Sequence, residues 1–130
     1  MVLDTSALLA VLLGEPERDR FVALLADADD PVISAATLVE ASIVMLARTG
    51  DEGVALLDAL LAAAAVRCVA VDGVQADLAR GAYARYGRGR GQAGLNYGDC
   101  FSYALARAMD RPLLFKSDDF ARTDVTPAHA

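Results

Sequence analysis

Histidine chemistry has almost nothing to work with in this chain. Among 130 residues there is one histidine, His129, beside the C-terminal residue. Imidazole general acid–base catalysis and Ser-His-Asp arrangements need a histidine held in a fixed cleft, whereas chain ends tend to fray. Cysteine is equally scarce. Cys68 and Cys100 stand far apart with no paired motif, and two thiols with one imidazole fall short of a closed structural zinc site. In a chain without an export signal they read as two small buried apolar residues, which points to the cytoplasm. No long apolar run is present either: the longest, Ala59 to Val66, is closed off by Asp58 and Arg67, against the roughly 20 residues a bilayer requires. No basic residue precedes the first apolar run, and Asp4 interrupts it, so a secretory signal is not expected.

What the chain does contain is apolar bulk and carboxylate. Apolar residues make up 55% of it, enough for the core of one domain spanning 1–130. Acids outnumber bases 18 to 12, for a net charge of −6. An enzyme built from this inventory works with Asp, Glu and a hard, oxygen-preferring cation.

Apolar spacing and turn signals divide the chain into alternating strands and helices. Met1 to Asp4 reads as a strand ending in a polar Asp-Thr-Ser corner, and Ala7 to Leu13 as a short helix stopped by Gly14. Pro16 suits the first turn of an amphipathic helix over Glu15–Ala28. The turn Asp29-Asp30-Pro31 leads into a buried strand Val32–Ser34. Helical patterns cover Ala36–Ala47 and Asp51–Ala65, parted by Thr49-Gly50; Arg67–Val71 is β-rich, and Gly73–Tyr86 helical. After a glycine-dense stretch, 87–98, come a helix over Asp99–Met109, a strand over Pro112–Ser117 and an edge strand near Val125–Pro127. Strands alternating with helices require crossover connections, hence an α/β fold with a mostly parallel sheet.

Four acids sit apart from the charged surface. Asp4 ends the first strand; Glu40 lies mid-helix among Ala36, Thr37, Ile43 and Val44; Asp99 precedes Ser102 and Tyr103; Asp118 follows the last apolar strand. Glu40 and Asp99 have no cation at helical spacing. Helix capping also accounts for Asp4 and Asp99 singly. Together, four such carboxylates repel one another and raise their own pKa values, a conflict that a divalent cation removes. In a parallel sheet, the crevice beyond the strands' carboxyl ends is the usual ligand site, and Asp4 and Asp118 both fall there.

Val2-Leu3-Asp4-Thr5-Ser6-Ala7-Leu8 resembles the opening of PIN-domain proteins. Leu38-Val39-Glu40, Gly98-Asp99-Cys100 and Ser117-Asp118-Asp119-Phe120 look like that family's other three acidic motifs, in order and across essentially the whole chain. The length suits the bacterial VapC-type toxins of toxin–antitoxin pairs. The resemblance implies a three-layer α/β/α sandwich and an endoribonuclease dependent on Mg²⁺, with Mn²⁺ substituting. It further implies a homodimer and a cognate VapB-type antitoxin that blocks the site. On it, Asp4 and Asp99 are the expected metal ligands, and Glu40 acts through water. The fourth motif offers two adjacent acids. Asp118 is expected to be the active one, because it directly follows the strand and neighbouring residues of an extended segment point in opposite directions. Ser6 and Ser117 suit either support of this shell or simple capping, and Lys116 faces phosphate or solvent.

The charge distribution is uneven. Residues 80 to 90 hold Arg80, Arg85, Arg88 and Arg90 and no acid, a segment suited to an RNA backbone or to a solvated loop. Gly89-x-Gly91-x-x-Gly94 matches a dinucleotide fingerprint by letter, but it follows a helix rather than a strand. Two rival readings remain at this point. One is a receiver-type phosphoacceptor, with Asp4 on Mg²⁺, Asp72 accepting phosphate and Lys116 closing the site; it leaves Glu40, Asp99 and the arginines without a role. The other is a catalytically silent interaction module, for which the acids are superfluous.

Overall fold

Pairs of consecutive strand residues set the architecture. In a computed structural model describing residues 1–129, β1 (Val2–Leu3), β2 (Val32–Ser34), β3 (Arg67–Val69) and β4 (Leu113–Leu114) form one parallel sheet in the order β3-β2-β1-β4. Successive side chains on a strand point to opposite faces. Val2, Val32 and Leu113 therefore enter one core with α4 (Gly73–Tyr86) and α5 (Tyr97–Met109). Leu3, Ile33 and Leu114 enter the other with α1 (Thr5–Leu12), α2 (Arg18–Asp27) and α3 (Ala35–Ala63). The two cores sandwich the sheet, giving the three-layer α/β/α arrangement.

Caps move several boundaries from where apolar spacing alone puts them. α1 starts at Thr5 because Asp4 caps it, and α5 starts at Tyr97 because Asn96 does. The two patterns on either side of Thr49-Gly50 run on as one helix, kinked at Gly50, whose φ of 69° breaks the helical path. The Pro112–Ser117 strand shrinks to Leu113–Leu114; Phe115 turns into the core instead, against Phe120 and His129. The segment near Val125–Pro127 makes a single parallel bridge, Leu113 to Pro127. Cys100 is buried as expected, but Cys68 is exposed because β3 is the edge strand. His129, expected to fray, packs its ring on Phe21 and Phe115. No helix among the described residues is long and apolar enough to cross a membrane.

Candidate active site

Asp4 leaves β1 in extended backbone and caps α1, so the local chain already aims its carboxylate back over the strand ends. It is 2% exposed. Oδ2 accepts from the Ser6 amide at 3.0 Å and the Ser6 hydroxyl at 2.6 Å. Oδ1 accepts from the Ser102 hydroxyl on α5 at 2.6 Å. Ser102 is itself 3.1 Å from the Thr37 hydroxyl on α3. Hydroxyls from two helices thus hold one carboxylate, as a buried polar group requires, and a third helix backs one of them through Thr37. Ser6 also accepts from the Lys116 amide at 3.0 Å, tying the end of β4 to the same corner.

Among the described residues Glu40 has no ion pair. Its Oε1 accepts from the Thr5 hydroxyl at 2.6 Å, and its carboxylate lies directly over Gly98. Asp99 is the third residue of α5, and with Asn96 it forms a capping box. Asp99 Oδ2 accepts the Asn96 amide at 3.0 Å, and Asn96 Oδ1 accepts the Asp99 amide at 2.8 Å. Burial pushes the Asp99 carboxyl up to about 7. The Asn96 amide opposes that shift, while the charges of Asp4, Asp119 and Glu40 add to it.

The two acids of the fourth motif have different surroundings. Ser117 accepts the Asp119 amide at 3.1 Å, which caps the turn into the short 3₁₀ helix Phe120–Arg122. Asp119 is half-buried and repels Asp99, whereas Asp118 is exposed and is not among the charges acting on Asp99. Sequence spacing favours Asp118; the charge felt at Asp99 and the partial burial favour Asp119 as the fourth acid. Lys116 is turned away from them, with its ammonium on Glu15 and Glu17. Asp72, the phosphoacceptor of the rival reading, spends its Oδ1 capping α4 through the Gln75 amide at 2.9 Å.

The four arginines have different surroundings. Arg80 and Arg88 line a groove of about 670 Å³ between α4 and α5, together with Tyr83, Asn96, Tyr97 and Phe101. Arg85 lies over the Tyr86 ring and 3.8 Å from Asp124, and Arg90 reaches the Ala84 carbonyl at 3.4 Å. Asn96, which caps α5 by accepting the Asp99 amide, also lines this groove. Thr5, Thr37, Ser102 and Gly98 escaped sequence reasoning. The Asn96-x-x-Asp99 capping pattern was the one local signal available.

None of Asp4, Glu40, Asp99, Asp118 and Asp119 is ion-paired among the described residues, which also hold no ready-made cluster of three metal-ligating side chains. The donor set nevertheless fits a hard cation. It is oxygen only, and the buried Asp99 is destabilised as an anion by three neighbouring acids, which a divalent charge would reverse.

An α/β/α sandwich that gathers unpaired carboxylates beyond the ends of its parallel strands defines an acidic-site α/β protein. The chain belongs to the PIN domain family, whose model matches residues 1–125. It is 53% identical over 131 residues to Ribonuclease VapC of Mycolicibacterium smegmatis, covering 99% of this chain and 100% of that one. It is 51% identical to Ribonuclease VapC30 of Mycobacterium tuberculosis, covering 96% and 95%. Among solved structures, VapC20 of Mycobacterium tuberculosis, described as a Sarcin-Ricin loop cleaving toxin, superposes with a TM-score of 0.80 at 18% identity, covering 99% of this chain and 98% of that one. A toxin–antitoxin complex from Klebsiella pneumoniae gives a TM-score of 0.69 at 20% identity, with coverage of 99% and 98%. These two likenesses concern the fold.

Proposed function

We propose that this chain is the toxin of a type II toxin–antitoxin pair, a cytoplasmic endoribonuclease that cleaves RNA phosphodiester bonds with Mg²⁺ or Mn²⁺. The observation that carries the reading is the grouping of Asp4, Glu40 and Asp119 around Asp99, without a counter-cation among the described residues, in a chain about half identical over its full length to proteins named ribonucleases. Asp4 and Asp99 would hold the cation, and Asp119 rather than Asp118 completes the acidic set. When bound, the cation offsets the negative charge that grows on the phosphodiester and makes the attacking water more acidic. Ser6 and Ser102 fix both oxygens of Asp4, so little reorganisation is left for the reaction. Glu40, held by Thr5, is placed to orient the attacking water and to take its proton. Arg80 and Arg88 draw the RNA backbone along the groove that ends at Asn96, with Arg85 and Arg90 contributing at longer range.

Two partnerships belong to the same reading. Val39, Ile43 and Leu46 are each more than half exposed on one stripe of α3, beside Tyr97 at 80%. A homodimer buries this strip, and Ile43→Glu is expected to leave a monomer by light scattering. A VapB-type antitoxin would silence the protein by covering the acids, its basic side chains answering their charge.

The test is cleavage of RNA by purified, antitoxin-free protein. Cleavage is expected with Mg²⁺ or Mn²⁺ and not with excess EDTA. It should be lost in Asp4→Asn and Asp119→Asn and kept near wild type in Asp118→Asn. Full cleavage in EDTA overturns the reading; loss in Asp118→Asn alone restores the other acid of the fourth motif.

A further inference from the structure

Gly98 occupies the second position of α5, where its backbone is helical and its φ is not positive. The conformational freedom of glycine is therefore not needed there, unlike at Gly50 or Gly94. Glycine is also a poor helix former beside alanine. Space supplies the reason. A Cβ on Gly98 would lie 2.0 Å from Oε2, 2.6 Å from Cδ and 2.8 Å from Oε1 of Glu40. No backbone atom or neighbouring core residue is among those nearest atoms. The closest clashes are all with one carboxylate, which accepts a hydrogen bond from the Thr5 hydroxyl at 2.6 Å.

We propose that Gly98 is a positioning residue whose missing side chain, opposite the Thr5 hydroxyl, seats the Glu40 carboxylate beside Asp99. The proposal rests on the four-acid reading and adds to it the device that fixes one of the acids. The atoms nearest a methyl group at position 98 belong to the far end of a flexible side chain, so the fold can accommodate it by swinging Glu40 away. Stability and function should therefore separate. Gly98→Ala gains a better helix former while losing the seat of the carboxylate. Structural glycines behave otherwise: at Gly87 a Cβ would lie 2.5 Å from the Tyr83 carbonyl oxygen, and there a substitution must disturb the helix end itself.

The experiment compares wild type, Gly98→Ala, Glu40→Gln and the double variant. It measures Tm without metal, Mn²⁺ affinity by titration calorimetry, and RNA cleavage. Gly98→Ala is expected to keep or raise the metal-free Tm, to weaken Mn²⁺ binding, and to lose at least tenfold in kcat. Its loss should approach that of Glu40→Gln, and the double variant should be no worse than Glu40→Gln alone, since both act through one carboxylate. Thr5→Val should lose activity in the same direction, and Thr5→Ser should retain it. Wild-type cleavage and Mn²⁺ affinity in Gly98→Ala, with Glu40→Gln inactive, overturns the proposal and leaves the four-acid reading standing. A Gly98→Ala loss that multiplies with that of Glu40→Gln, or that comes with a lowered Tm, also overturns it. An active Glu40→Gln removes Glu40 from the reading and the proposal with it.

Discussion

The two ends of one parallel sheet treat carboxylates in opposite ways. At the amino ends of the strands, Asp30 precedes β2 and receives Arg67 from β3, at 2.8 and 3.1 Å, and Arg111 from the approach to β4, at 3.0 Å. Those guanidinium hydrogen bonds hold the Asp30 carboxyl far below the usual range. At the carboxyl ends, Asp99 is buried among Asp4, Asp119 and Glu40, and its carboxyl is pushed up to about 7. The arginines that stabilise Asp30 stand at one end; the acids without partners gather at the other. A fold has no stability reason to gather unpaired acids, so their concentration at the carboxyl ends of the strands supports the proposed acidic site.

The sharpest way to break this comparison is to neutralise one acid at the site. Asp99→Asn is expected to cut cleavage by more than about 100-fold, on the order of 3 kcal/mol of transition-state stabilisation. It should also raise the metal-free Tm at pH 8, where the wild type carries the buried charge. A variant that loses both activity and stability would place Asp99 among structural acids such as Asp30.

Cation binding sharpens the same contrast. Mn²⁺ at 100 times its Kd should stabilise the wild type by about 2.7 kcal/mol, seen as a Tm raised by several degrees. The gain should disappear in Asp99→Asn and persist in Asp30→Asn. Equal gains in both variants would put the cation elsewhere.

The pH dependence of metal-free unfolding should then show two limbs of opposite sign. Asp99 has a folded pKa above its unfolded value, so its contribution is most favourable below about 4 and is lost as pH rises towards 7. Asp30 has a depressed folded pKa, so its contribution is present above the ordinary carboxylate range and is lost as pH falls below about 4. Chemical denaturation across pH 3 to 8 checks both. Asp99→Asn should flatten the upper limb and Asp30→Asn the acid limb, the latter without changing kcat.

The smallest expected effect concerns the groove. Arg80→Ala with Arg88→Ala should weaken RNA binding across sequences and lower the salt slope by about one for each phosphate no longer neutralised. Arg85, already close to Asp124, should matter less when replaced singly. An unchanged salt slope in the double variant would make the groove arginines solvated surface.

Much of the fold was legible in the sequence, for local reasons. The helices over Gly73–Tyr86 and on both sides of Gly50, and the buried strand Val32–Ser34, follow from apolar spacing and turn residues. The failures have physical causes too. The strand expected over Pro112–Ser117 pairs only at Leu113–Leu114, and Phe115 beyond it packs in the core against Phe120 and His129. Cys68 reads as a core residue until β3 proves to be the edge of the sheet.

By itself, the sequence determined the kind of chemistry and the class of fold. Scarce histidine and cysteine left carboxylates as the working groups, and the alternation of strands and helices required a parallel sheet with helices on both faces. Only the tertiary structure decided which oxygens meet. Ser102 reaches Asp4 across 98 residues of chain, and Thr5 reaches Glu40 across 35. The different exposure of Asp118 and Asp119 follows from a turn in which Ser117 accepts the Asp119 amide, and the bare face of Gly98 has meaning only once α3 lays Glu40 against it. Periodicity and capping act over a few residues and can be read along the chain. Side-chain convergence depends on how α1, α3 and α5 pack together over the ends of the strands, and no local rule fixes that.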